Sequence, residues 1–133
     1  MKPQYIEIDK DGNKFYYSDK AMTKCHRVDG PAVEYKGGLC IWYLNGKKHR
    51  VDGPAVKYKG GLCIWYLNGK KHREDGPAVT WNGSKLWYLS GLNITQEEHA
   101  RRTKKVPTVN INGKDFTLEE LNSLIKTAEG NKV

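Results

Sequence analysis

Short apolar runs punctuated by glycine pairs, rather than long stretches of helical spacing, organise residues 26 to 91. The first unit runs from Ala32 to Lys36, breaks at Gly37-Gly38, continues through the apolar stretch Leu39 to Leu44, and breaks again at Asn45-Gly46. Gly-Gly and Asn-Gly between β-branched and aromatic runs predict two-residue hairpin connections, because both pairs accept the left-handed backbone that matches strand twist. Ahead of each unit, Asp29-Gly30-Pro31 combines a side chain that caps a turn, a residue free to take positive φ and a fixed φ, which predicts a corner. Leu39 to Leu44 is apolar on both faces, with Leu39, Ile41 and Tyr43 on one and Cys40, Trp42 and Leu44 on the other. Such a strand needs cover from neighbouring repeats, a partner chain or the terminal segment.

The pattern recurs almost unchanged. His26 to Lys48 reads HRVDGPAVEYKGGLCIWYLNGKK, and His49 to Lys71 differs from it only by Lys57 in place of Glu34. A third copy begins at His72 and lacks one residue between Gly83 and Trp87, while Phe15-Tyr16-Tyr17 before Cys25-His26-Arg27 is a degraded half copy. Graded ends of this kind are expected of stacked repeats with atypical capping units. The predicted fold is mainly β, with each unit one hairpin and the hairpins joined into an elongated, twisted antiparallel sheet. The expected division is 1–25 as an N-terminal cap and half repeat, 26–94 as three repeats of 22 to 23 residues, and 95–133 as a C-terminal helix plus a ββα cap.

The pattern changes after residue 94. Thr95 with Glu98 fits a capping box, which predicts a helix from Gln96 to about Thr103, ended by Pro107. The basic run Arg101-Arg102-Thr103-Lys104-Lys105 is read as a solvated helix end with favourable dipole charges rather than a phosphate contact. Val109 to Ile111, Asn112-Gly113 and Lys114 to Phe116 predict a small hairpin. Thr117 with Glu120 makes a second capping box, and Leu118, Leu121, Leu124, Ile125 and Ala128 predict a helix with one apolar stripe before Gly130. That ββα segment is expected to seal the end of the array.

The 23-residue period, the aromatic pair before Asn-Gly and the glycine-containing corner resemble the MORN repeat across residues 26 to 91. The HRxDGPA form resembles a MORN-variant repeat found in proteins of large phages and giant viruses, and the units lack the Tyr-x-Gly-x-Trp opening of the better-known form. The resemblance implies a sheet of successive hairpins that serves as an interaction module in a viral setting.

Composition narrows the picture. A length of 133 residues suits one small domain or a repeat body with an appendage, and 14 aromatic residues argue against disorder. The first residues show no secretory signal and the longest apolar run is too short to cross a bilayer, so a cytoplasmic location is expected. Three cysteines, an odd number, then favour free thiols. The net charge of +8 is concentrated: residues 26 to 71 carry nine basic and three acidic groups, an excess of six. A focused positive field attracts anionic partners.

Candidate chemistry is sparse. His26, His49 and His72 recur near Asp29, Asp52 and Asp75, but a residue present in every unit serves the unit, with the histidine expected to bond a neighbouring carbonyl and the aspartate to cap the turn. Cys40 and Cys63 lack the close spacing of zinc ligands and are read as buried hydrophobes. No glycine-rich phosphate loop or nucleophile elbow is present. The expectation is therefore a non-enzyme without metal or cofactor.

The candidate binding residues are the basic and aromatic rows. Lys47, Lys48, Lys70 and Lys71 follow the Asn-Gly turns and precede Arg50 and Arg73, Lys36, Lys57 and Lys59 flank Tyr35 and Tyr58, and Trp42 and Trp65 sit within the apolar strands. Equivalent positions two strands apart would lie on the order of 10 Å from each other. The leading expectation is a viral or phage accessory protein that binds and inhibits or redirects a host protein. The alternatives are nucleic-acid or nucleotide binding through the same rows, and a structural protein that self-assembles through its sheet edges.

Overall fold

A computed structural model describes residues 4–104 and 108–130. Residues 1–103 and 104–133 form two separate compact units. Pro107, expected to end the first helix, and Lys105 of the basic run lie outside the described residues.

The first unit opens with the hairpin β1 (Tyr5–Ile8) and β2 (Lys14–Tyr17). The first repeat contributes β3 (Val33–Glu34), β4 (Leu39–Ile41), β5 (Tyr43–Leu44) and β6 (Lys47–Lys48). The second contributes β7 (Val56–Tyr58), β8 (Cys63–Ile64), β9 (Tyr66–Leu67) and β10 (Lys70–Lys71). The third contributes β11 (Val79–Trp81), β12 (Ser84–Leu89) and β13 (Leu92–Ile94), followed by helix α1 (Gln96–Thr103). A nine-stranded antiparallel sheet runs in the order β1-β2-β3-β4-β7-β8-β11-β12-β13, so the mainly β reading of the sequence holds. β5-β6 and β9-β10 are separate two-stranded ladders.

The expected hairpin of each repeat is present as β3-β4, β7-β8 and β11-β12, and each repeat adds a third strand that extends it into a meander. Its second strand pairs with the long sheet as far as Ile41, passes through Trp42, and then pairs with its own third strand, Tyr43 opposite Lys48 and Leu44 opposite Lys47. In the third repeat the same run is the single strand β12, which pairs with β11 through Leu86 and with β13 from Trp87 onward. The repeats also bond to each other at this second level, with Arg50 N donating to Tyr66 O and Gly69 N to Lys48 O. Leu39 to Leu44 are all half-buried, and Arg50 of the following repeat covers the Trp42 ring, so the doubly apolar strand is partly covered by its neighbour.

The Asn-Gly turns form as expected, with φ of 50° and 79° at Asn45 and Gly46, 49° and 82° at Asn68 and Gly69. The Gly-Gly connection does not. Tyr35 N donates to Leu39 O and Gly38 N to Tyr35 O, so the loop has three residues, Lys36-Gly37-Gly38, and only Gly38 takes positive φ, at 100°. The third repeat replaces it with the two-residue turn Asn82-Gly83, which accounts for its missing residue. Although Gly38 and Gly61 occupy equivalent places, a Cβ on Gly38 would lie 2.7 Å from Lys59 Cβ, whereas one on Gly61 would meet nothing within 4 Å. Gly61→Ala should therefore cost about 1 kcal/mol from backbone strain alone, and Gly38→Ala about 1 kcal/mol more from the added overlap, as read by urea unfolding. Equal losses would show that the Lys59 stem moves away freely.

Helix α1, grouped with the C-terminal segment from sequence, packs on β12 of the last repeat and belongs to the first unit. Its N-terminus is capped by Thr95, whose Oγ1 accepts from Glu98 N at 3.1 Å. The reciprocal half of the box is absent, because the Glu98 carboxylate is taken by Arg101 and Arg102. The second unit is a ββα arrangement of β14 (Thr108–Ile111), β15 (Lys114–Thr117) and α2 (Leu118–Gly130). Here the capping box is complete, with Thr117 Oγ1 accepting from Glu120 N at 3.1 Å and Thr117 N donating to Glu120 Oε1 at 3.4 Å.

Candidate functional site

The HRxDGP segment of each repeat builds a ladder rather than an open site. The Arg50 guanidinium lies 4.0 Å from the centre of the Trp42 ring, donates from Nε to Asp52 at 3.1 Å and from Nη1 to the Pro54 carbonyl at 3.2 Å. Arg73 repeats this on Trp65, Asp75 and Pro77, and Arg27 on Tyr16, Asp29 and Pro31. The alanine after each proline, Ala32, Ala55 and Ala78, is 0% exposed and forms the core with Val33 and Val56. The arginine bond holds the Asp75 carboxyl below its ordinary value.

This ladder corrects the reading of the Asp-Gly-Pro corner. Gly30, Gly53 and Gly76 do not adopt positive φ. A Cβ there would stand 3.0, 2.7 and 2.8 Å from the Cζ of Arg27, Arg50 and Arg73, so a larger residue displaces the guanidinium from its place in the ladder. The aspartate receives the arginine instead of capping the turn. The histidines likewise accept rather than donate: Nδ1 of His26, His49 and His72 takes the amide of Asn45, Asn68 and Ser90 at 2.9 to 3.0 Å, which leaves the ring proton on Nε2.

Trp87 has no arginine of a following repeat, and α1 fills the gap. His99 is 2% exposed, packs against Trp87 at a 57° tilt with 4.9 Å between ring centres, and its Nε2 lies 2.6 Å from the Arg73 carbonyl. His99→Ala should lower the unfolding free energy by about 1–2 kcal/mol, the sum of a buried hydrogen bond and an aromatic contact. Native-state hydrogen exchange should place the loss in the last repeat; a uniform loss across all repeats would contradict this assignment.

No family model, curated protein or solved structure matches this chain.

The residues named from sequence separate into three groups. Trp42, Trp65, Arg50 and Arg73 are committed to the ladder. Lys48 and Lys71 are half-buried with Nζ 5.1 and 5.0 Å from the Tyr66 and Tyr88 ring centres. Tyr35, Lys36, Lys47, Lys57, Tyr58, Lys59 and Lys70 are exposed. Tyr35, Lys36, Tyr58 and Lys59 sit at the three-residue loops, Lys47 and Lys70 at the Asn-Gly turns, and Lys57 on the sheet between Cys40 and Cys63.

The three carboxylates of residues 26–71 are all paired with arginine, Asp29 and Glu34 with Arg27 and Asp52 with Arg50. Among the described residues, none of the seven lysines of that segment has a carboxylate partner. Internal pairing thus engages both arginines of that segment and leaves its lysines to carry the exposed positive charge.

Two members of these rows were missed from sequence. Trp81, 55% exposed, continues the row of Tyr35 at 38% and Tyr58 at 46%, and its alignment with them was visible in the third repeat. Lys24 aligns with Lys47 through Lys24-Cys25-His26-Arg27, and its Cγ lies 3.6 Å from where a Gly46 Cβ would stand.

Other features offer less. Val28 and Val51, 82% and 79% exposed, edge a shallow groove of about 560 Å3 with Asp29, Asp52 and Trp42. Burial pushes the Cys25 and Cys40 thiols up, away from the reactive thiolate. No group of three or more His, Cys, Asp or Glu suited to a metal ion occurs among the described residues, and no helix there is long and apolar enough to cross a membrane.

Proposed function

We propose that the chain is a non-enzymatic interaction module that engages a partner protein through its repeat surface, in the manner of a viral or phage accessory protein acting on a host protein in the cytoplasm. The observation that carries this reading is the set of seven lysines without internal counter-charge, six of which form equivalent pairs on successive repeats, Lys36 with Lys59, Lys47 with Lys70 and Lys48 with Lys71. The resemblance of the 23-mers to MORN-variant repeats supports the same reading, and the histidines that recur near aspartates are spent on turns instead of standing free for proton transfer.

The test is capture on the immobilised chain from nuclease-treated host lysate, with a Lys47/Lys48/Lys70/Lys71→Glu variant in parallel. A stoichiometric protein that elutes with salt and is lost from the variant is the expected result. Capture that disappears on nuclease treatment would transfer the reading to nucleic acid, for which Tyr35-Lys36 and Tyr58-Lys59 pair an exposed ring with a cation.

A further inference from the structure

The Asn-Gly turns carry more order than a generic basic surface. Leu44 stands opposite Lys47 and Leu67 opposite Lys70, and directly opposed residues of an antiparallel pair share a face. Leucine and lysine therefore alternate strand by strand along this edge. Each lysine stem also lies against the turn of the next unit. A Cβ on Gly46 would be 3.6 Å from Lys24 Cγ, one on Gly69 3.8 Å from Lys47 Cβ, and one on Gly91 3.8 Å from Lys70 Cβ. The intervening ladder is continuous, with Gly46 N donating to Cys25 O, Gly69 N to Lys48 O and Gly91 N to Lys71 O. The three ammonium groups thus spring from backbone positions one repeat apart, a pitch of about 9.4–9.8 Å for two strand spacings.

We propose that this leucine-lysine strip docks an acidic amphipathic helix of a partner protein, with a carboxylate at every seventh residue facing Lys24, Lys47 and Lys70. The proposal rests on the interaction-module reading and names its partner. Seven helical residues rise about 10.5 Å. The mismatch is about 1 Å per rung, which flexible lysine stems absorb over three rungs. Half-buried Leu44 and Leu67 meet apolar side chains flanking the carboxylates, a pairing that a phosphate backbone does not offer. Single-stranded nucleic acid fits the strip less well because it needs exposed rings beside the cations. The exposed rings Tyr35, Tyr58 and Trp81 lie instead at the far end of the six-residue second strand, on the order of 20 Å away.

The decisive measurement uses two labelled helical peptides of identical composition, one with glutamate every seventh residue beside leucines and one with glutamate every fifth, titrated by fluorescence anisotropy into the full chain. The heptad peptide is expected to bind at least ten-fold tighter, to weaken steeply with salt, and to lose at least ten-fold affinity for Lys47→Glu/Lys70→Glu. The opposite-edge pair Lys36→Glu/Lys59→Glu makes the same charge change and should leave the affinity within about two-fold. Equal binding of the two peptides, equal loss in the two variants, or tighter binding of a labelled oligothymidine than of the heptad peptide would overturn the proposal. If the lysate partner is captured as well by Lys47→Glu/Lys70→Glu as by the original chain, the strip is not its docking site while the interaction-module reading stands.

Discussion

Replacing Arg50 by alanine is expected to lower the unfolding free energy by about 2–3 kcal/mol, more than an ordinary surface substitution costs. The guanidinium makes three contacts of unequal weight. Its ion pair with Asp52 adds at most about 1 kcal/mol, because the aspartate side chain is 87% exposed. The bond to the Pro54 carbonyl is worth more, since it ties the corner to the strand that carries buried Ala55 and Val56. The contact with Trp42 adds about 1 kcal/mol and covers one face of the ring where the strand changes partner. Lysine at position 50 recovers less than half of the loss, because an ammonium lacks the planar fork that meets carboxylate, carbonyl and ring together. Asp52→Asn removes only the exposed pair and should cost under about 1 kcal/mol. Urea unfolding of the three variants checks the order. An Arg50→Ala protein within about 0.5 kcal/mol of the original would show that the ladder is surface ornament.

The ladder also marks where sequence reasoning reached and where it stopped. The repeats, the Asn-Gly turns and both capping threonines were legible, because each depends on local backbone chemistry that a few neighbouring residues decide. The three-residue loop at Lys36 to Gly38 was not, because nothing local distinguishes a Gly-Gly turn from a bulged loop that ends in Gly38. Gly53 was misread for a different reason. Its need comes from a side chain three residues back that folds over it, so a conformational argument about the glycine could not find it. Trp42 and Trp65 stand among the candidate binding residues of the sequence, yet each lies beneath an arginine of the next unit. The decisive signal was the arginine eight residues later in each unit, visible in hindsight at Arg50 and Arg73. Helix α1 shows the same limit: the capping box located its start, but only packing reveals that His99 supplies the rung the next repeat would have given.

Gly53→Ala gives the sharper test of that account, because its sign is expected to change with its neighbour. In the original chain the new methyl would stand 2.7 Å from Arg50 Cζ and 3.0 Å from its Nε, so the guanidinium must leave Trp42 or the corner must open. The expected cost is about 2–3 kcal/mol, comparable to losing the arginine itself. Gly53 does not adopt positive φ, so the backbone accepts alanine once the guanidinium is gone. In an Arg50→Ala background the same substitution should therefore be neutral or stabilise by up to about 1 kcal/mol, through reduced freedom of the unfolded chain. A double-mutant cycle by urea unfolding should give a coupling of about 2 kcal/mol or more. Additive losses would mean that the glycine serves the backbone after all. Gly61 is the internal control for that alternative, since its φ of +97° and empty surroundings make its cost independent of any side chain.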